Sequence, residues 1–125
     1  MAEPAHPFHA HVYYDAAERA AAELLRVALL SKREALFVGR LTDGPVGPHP
    51  IPQFEVHFDE SALAALMPQF EQSGLRVLVH PLTDDDQADH TSLGRWIGKR
   101  VDLDLSVLDP PGMNQGVARF GKSDF

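Results

Sequence analysis

The chain contains no cysteine. That absence excludes disulfides, thiolate nucleophiles, iron–sulfur clusters and cysteine-based zinc sites, and it fits a reducing compartment. No apolar run approaches the roughly 20 residues that a membrane span needs. The first residues, Met1-Ala2-Glu3-Pro4-Ala5-His6, lack the basic and apolar regions of a secretory signal. Basic residues are also scarce, 11 against 18 acidic ones, for a formal charge of −7. A duplex-binding domain needs the opposite balance, because it must neutralise phosphates. Nucleic acid and membrane are therefore not expected partners, and a cytoplasmic location is expected. At 125 residues, 44% of them hydrophobic, the chain has enough apolar material for one ordinary core. The expected organisation is a single domain over residues 1–125, with an ordered core over about 7–109 and a loose tail over 110–125.

What the chain does hold is histidine, seven in all. Histidine is the commonest metal ligand and the side chain that titrates nearest neutral pH. Their placement depends on the elements. Residues 8–14 alternate as a strand, with Phe8, Ala10, Val12 and Tyr14 on one face and His9, His11 and Tyr13 on the other. Asp15 and Glu18 have capping-box spacing, opening a helix to about Arg33 with Ala17, Ala21, Leu24 and Ala28 along its apolar stripe, flanked by Leu25 and Leu29. A second strand is expected over 35–41. Between 43 and 52, four prolines and two glycines make a stiff loop that presents His49. A third strand covers 53–58, with Glu55 and His57 on its polar face. A second helix, capped by Asp59 or Ser61 and kinked at Pro68, ends at Gly74, and a fourth strand runs over 75–80 to His80. Residues 101–108 alternate cleanly and read as a fifth strand.

The order βαββαβ plus a C-terminal strand is that of an α+β, ferredoxin-like sandwich. In that arrangement both helices cover one sheet face and the other is open to water, a ligand or a partner subunit. Strands 1 and 3 are expected as parallel central neighbours, with strand 4 beside strand 1 and strand 2 beside strand 3. This brings His9, His11, His49, His80, His90 and Glu55 to one end of the sheet. Singly, each has a plain explanation: a solvated strand residue, a backbone-satisfied strand end, or a surface pair such as His57 with Asp59. Together they suggest a metal. Two histidines and a carboxylate on one side of an ion leave positions for substrate and O₂, the arrangement of non-haem Fe(II) oxygenases. Zn(II) takes the same ligands and is the competing ion.

The motifs Phe8-His9-Ala10-His11-Val12-Tyr13-Tyr14, Gly47-Pro48-His49-Pro50, Gln53-Phe54-Glu55-Val56, Leu78-Val79-His80-Pro81-Leu82-Thr83 and Asp89-His90-Thr91, followed by Trp96-Ile97-Gly98, resemble the DOPA 4,5-dioxygenase family of fungi and bacteria. The resemblance runs in order from about residue 7 to 108. It implies a ferredoxin-like fold and extradiol opening of a catechol ring by O₂ with Fe(II). His11, His49, His80 and His90 match the family's motif histidines, and Glu55 its Phe-Glu pair.

The expectation is thus a non-haem Fe(II) extradiol dioxygenase acting on a small aromatic substrate, a catechol such as DOPA. Its metal ligands are His11, His80 and Glu55, with His9 in reserve. His49 and His90 are acid/base groups, and Arg40 or Arg76 meets a substrate carboxylate. A homodimer is expected. The rival is a dimeric, non-catalytic ferredoxin-like protein that binds a metal or small molecule, and a third reading is a cofactor-free monooxygenase.

Overall fold

The computed structural model describes residues 6–122. The first aromatic segment forms strand β1 (Pro7–Tyr13), buried on both faces from His9 to Tyr13. The Asp15 carboxylate then accepts from the Glu18 N–H at 2.9 Å, and the Glu18 carboxylate accepts from the Asp15 N–H at 3.0 Å. This reciprocal cap opens a 3-10 turn that leads into helix α1 (Arg19–Leu30). The buried face of α1 is Ala22, Leu25 and Leu29, not the alanine-rich stripe expected. Leu25 and Leu29 carry more apolar area than the alanines, so their face turns inward and Leu24 is left exposed. Arg26 Nε donates to the Gly39 carbonyl at 2.7 Å.

The remaining elements are β2 (Phe37–Val38), β3 (Gln53–Asp59), α2 (Leu63–Gln72), β4 (Arg76–Pro81), α3 (Asp86–Asp89), β5 (Arg95–Ile97) and α4 (Gln115–Ala118). Pro68 lies inside α2 without ending it, and Gly74, at φ +75°, turns the chain into β4. The five strands form one sheet in the order β2-β3-β1-β4-β5, antiparallel at every junction. Strands 2, 3, 1 and 4 are neighbours as expected. The parallel pairing of β1 and β3 is not found. The α1 crossover sets β2 parallel to β1, and β3 returns in the opposite sense to fill the gap between them. The start of β1 therefore meets the ends of both β3 and β4. His9 faces His57 on one side and His80 on the other, and His11 faces Glu55 and Leu78.

The fifth strand is also displaced. Residues 101–108 do not join the sheet. Asp104 accepts from the Ser106 N–H at 3.1 Å and caps a 3-10 turn, Leu105–Val107, so the local side-chain bond replaces a ladder bond. The Asp104 N–H donates instead to the Pro48 carbonyl at 2.8 Å.

Helices α1 and α2 pack on one sheet face. Their Leu25, Leu29, Leu66 and Phe70 join Ala10, Val12, Phe54, Val56, Phe58, Val77 and Val79 in the main core. The opposite face is not open. His9, His11, Tyr13, Gln53, Glu55, His57, Leu78 and His80 on it are all buried. The proline loop, the 101–109 strap and residues 114–121 lie over them. The segment read as a loose tail is part of this cover. Asn114 Nδ2 donates to the Thr83 carbonyl at 2.6 Å and to Asp89 Oδ2 at 3.1 Å, and the Gly121 N–H donates to His57 Nδ1 at 2.9 Å. No helix among the described residues is long and apolar enough to cross a membrane.

Asp89 fastens this cover. Fully buried, it accepts from the Thr83 N–H at 2.9 Å, the Thr83 hydroxyl at 2.6 Å and Asn114. Asp89→Ala strands those donors, and is expected to cost about 3 kcal/mol in urea unfolding. It should also make residues 110–122 more sensitive to limited proteolysis. A change under about 0.5 kcal/mol would show that the segment holds itself in place.

Candidate functional site

His11, His49, His80 and His90 are each aimed through a second ring nitrogen. Thr42 Oγ1 donates to the Gln53 carbonyl at 2.8 Å and accepts from Gln53 Nε2 at 3.2 Å. This fixes the Gln53 amide so that its Oε1 faces His11 Nδ1, 3.0 Å away. An amide oxygen only accepts, so the His11 proton is on Nδ1. His80 Nδ1 lies 2.7 Å from the Pro81 carbonyl and His90 Nδ1 2.8 Å from the Asp86 carbonyl. The same logic puts their protons on Nδ1. In the neutral rings, the Nε2 atoms of His11, His80 and His90 are therefore bare lone pairs. Backbone or amide acceptors behind the rings are the usual support for metal-ligating histidines.

His11 Nε2 and His80 Nε2 are 3.0 Å apart in a fully buried setting. Two lone pairs at that distance repel unless a cation lies between them. A proton is the poorer candidate. Burial, reinforced by neighbouring histidines, lowers the pKa of both rings well below its ordinary value. A divalent metal fits the donors as they stand. More widely, ligand atoms gather in three groups, each within 4.8 Å: His9 with His11 and His80, His11 with His49 and His90, and His9 with Glu55 and His57.

His49 has the opposite tautomer. The Tyr13 hydroxyl lies 2.8 Å from His49 Nδ1, and burial pushes the phenol pKa up, so the phenol keeps its proton. That buried proton needs an acceptor, and His49 Nδ1 is the one it meets. The His49 proton is then on Nε2. Two devices hold this histidine in place. Val46 and His49 exchange backbone bonds at 3.1 and 2.8 Å around Gly47, which has φ +50°. At the start of the loop, Asp43 accepts from the Tyr14 hydroxyl at 2.7 Å and from Arg19 Nε and Nη2 at 2.8 and 2.9 Å. The Arg19 guanidinium and Tyr14 hold Asp43 at a pKa of about 2.

His57 is not the surface partner of Asp59. It is fully buried and stacks on His9 with centroids 3.8 Å apart. Its Nδ1 accepts from Gly121, so its proton is on Nε2, 3.6 Å from Glu55 Oε1. That tautomer points a donor at Glu55 and makes His57 a poor ligand. Glu55 thus lies with His9 and His57 rather than with the His11–His80 pair. Gly39 leaves room for it, since a Cβ there would sit 2.9 Å from Glu55 Cγ. Arg40 and Arg76 do not line the cavity. Arg76 approaches Glu18 at 3.8 Å.

His9, His11, His49, His80 and His90 all line one cavity of about 200 Å³, walled by Leu82, Val107, Leu108 and Arg119. Sequence reasoning found the five histidines and missed Gln53, Tyr13, Asp89, His57 and Phe120. Gln53 and Tyr13 were legible as residues sharing the polar strand face with the histidines. Phe120, whose ring lies nearly parallel to those of His9 and His57, carried no signal.

Burial lowers the pKa of His9, His11, His49 and His80 in the folded chain. Below about pH 6.5 the unfolded chain takes up protons that the fold refuses. The stability these groups support is complete above that pH and is lost as pH falls below it. Each group adds up to about 1.4 kcal/mol per pH unit. For the metal-free protein, the urea midpoint should be flat above about pH 7 and fall steeply between about pH 6.5 and 5. A midpoint indifferent to pH across that window would contradict the burial of neutral rings.

Comparison with known proteins agrees with this geometry. The model of the Dopa 4,5-dioxygenase family matches residues 8–107. A DOPA 4,5-dioxygenase of Amanita muscaria is 33% identical over 111 residues, covering 81% of this chain and 49% of that protein. An uncharacterized 21.2 kDa protein of Botryotinia fuckeliana is 31% identical over 114 residues, covering 81% of this chain and 62% of that one. The chain thus spans about half to three-fifths of the length of these relatives. A crystal structure of a proposed dioxygenase from Nostoc punctiforme superposes with a TM-score of 0.77 at 36% identity, covering 82% of this chain and 90% of that one. With the match spanning most of the chain and every motif histidine lining one cavity, the chain belongs to the Dopa 4,5-dioxygenase family.

Proposed function

We propose that this protein is a non-haem Fe(II) extradiol dioxygenase that opens the ring of a catechol such as DOPA. The observation that carries the reading is the pair of buried, bare Nε2 atoms of His11 and His80, 3.0 Å apart at the cavity wall. Membership of the family supports the reaction class. The strand order, with α1 and α2 on one face, supports the ferredoxin-like assignment of the fold.

His11 and His80 hold the ion, and His9, whose ligand atom groups with theirs, is the third ligand. Glu55 lies behind His9 beside His57, where its charge offsets that of the metal site. Fe(II) bound there supplies the centre at which the catechol oxygens and O₂ meet, and so bypasses the spin barrier to their direct reaction. His90 presents a bare Nε2 to the cavity and takes the catechol hydroxyl proton. His49 presents an Nε2–H and returns a proton to an oxygen of the ring-opened product, which balances the proton that His90 takes. Tyr13 keeps His49 in that donor state. Leu82, Val107 and Leu108 limit water around the reacting ring. Both oxygen atoms of O₂ enter the product, so no external reductant is consumed.

Anaerobically purified protein given Fe(II) should consume O₂ with DOPA, protocatechuate or caffeate and form a ring-opened chromophore. Iron uptake without oxygen consumption would favour the binding-protein alternative. His11→Ala and His80→Ala should each lose most of the bound iron. His49→Ala should keep its iron while kcat falls about 10²–10⁴-fold. Full iron content in both ligand variants would refute the assignment of the metal pair.

A further inference from the structure

Three rings lie nearly parallel at one edge of the site. His9 stacks on His57 with centroids 3.8 Å apart and planes 11° apart. Phe120 lies 5.6 Å and 15° from His57, and 6.3 Å and 14° from His9. Both of its separations fall in the range of favourable offset stacking, about 4.5–7 Å between centroids. His57 is held in turn by the Gly121 N–H, which donates to its Nδ1 at 2.9 Å, and by the Phe37 ring at 4.9 Å. His9 meets His11 and His80 edge-on, at 5.8 Å and 79° and at 5.5 Å and 62°. The ligand atoms of these three histidines lie within 4.8 Å of one another. The last side-chain torsion of histidine has a broad, shallow preference. Turning the His9 ring about that bond would carry its ligand atom away from the other two, so the plane of the ring decides whether His9 reaches the ion.

We infer that Phe120 is a positioning residue for the metal: docked with the C-terminal segment, it fixes the plane of His9 through the stack with His57 and so sets metal affinity. The inference rests on the reading of His9 as the third ligand and goes beyond it, because it makes residues 114–121 a working part of the metal site. His11 and His80 have an amide oxygen and a carbonyl behind their rings. The stack does for His9 what those acceptors do for the other two, which is to hold the ring in the orientation that binding needs. Such a coupling is reciprocal. A segment that tightens metal binding is itself held more tightly once the metal is bound.

The test is competition for Zn(II) alone against a chromophoric chelator near neutral pH. Phe120→Ala and Phe120→Leu should each bind the metal about tenfold or more weakly than the wild type, the usual effect of removing a group that orients a ligand. Phe120→Tyr, which keeps the ring, should retain the wild-type affinity. His9→Phe, which keeps the stack and removes the ligand atom, should lose at least as much as Phe120→Ala. In the wild type Zn(II) should also slow trypsin cleavage after Arg119, and in Phe120→Leu it should not. Wild-type affinity in Phe120→Leu, or an equal loss in Phe120→Tyr, would trace the effect to apolar cover and overturn the role of the stack. Affinities of Phe120→Ala and Phe120→Leu within about twofold of wild type, with His9→Phe weakened, would overturn the inference and leave His9 a ligand. If His9→Phe binds as the wild type does, His9 is not a ligand, and the inference falls with that reading.

Discussion

Two buried imidazole nitrogens face each other at 3.0 Å, and each is stripped of its proton by a bond made on the far side of its ring. Most of the molecule can be understood as what is needed to hold that arrangement. Without a cation between them the two lone pairs repel, and burial makes a shared proton unfavourable. The sheet holds them close because His11 and His80 stand on adjacent antiparallel strands, two residues apart in register. Gln53, pinned by Thr42, and the Pro81 carbonyl then fix each ring's tautomer. A site built on strands with rigid partners behind its ligands keeps its geometry.

The second constraint is coverage. A sheet face lined with histidines is not a core face, yet here its residues are buried. Irregular segments shut it in: the proline loop braced by Asp43 and Tyr14, the strap of residues 101–109 tied to Pro48, and the C-terminal segment fastened through Asn114, Phe120 and Gly121. Asp89 joins the loop after β4 to that last segment. Burial of this kind strengthens electrostatics in the cavity and favours the neutral form of His9, His11, His49 and His80. The tautomers divide the work. His90 offers a lone pair and His49 a proton, and the difference arises from what each Nδ1 meets: a carbonyl for His90 and a phenol for His49.

Local patterns made much of this legible in the sequence. Alternation put His9, His11, Glu55 and His80 on strands, and the Asp15–Glu18 spacing announced the cap of the first helix. The prolines around His49 read correctly as a positioning loop. Errors came where tertiary context decided. The direction of β3 relative to β1 depends on the crossover, not on either strand's residues, and the antiparallel pairing sets His9 opposite His57 and His11 opposite Glu55. The alternation of residues 101–108 was real, but Asp104 used its side chain to form a turn. His57 looked like a surface residue because Phe120 and Gly121, 63 and 64 positions away, bury it. Contacts of that sequence separation leave no periodic trace.

The central claim concerns where protons sit on four rings, and histidine ¹⁵N NMR reads that directly. In the metal-free protein at neutral pH, His11, His80 and His90 should each show a protonated Nδ1 and a bare Nε2, while His49 shows the reverse. Adding Zn(II), a diamagnetic stand-in for iron, should shift the Nε2 resonances of His11 and His80 and leave their Nδ1 protons in place. Protonated Nε2 atoms on His11 or His80, or resonances of that pair unmoved by the metal, would contradict the account.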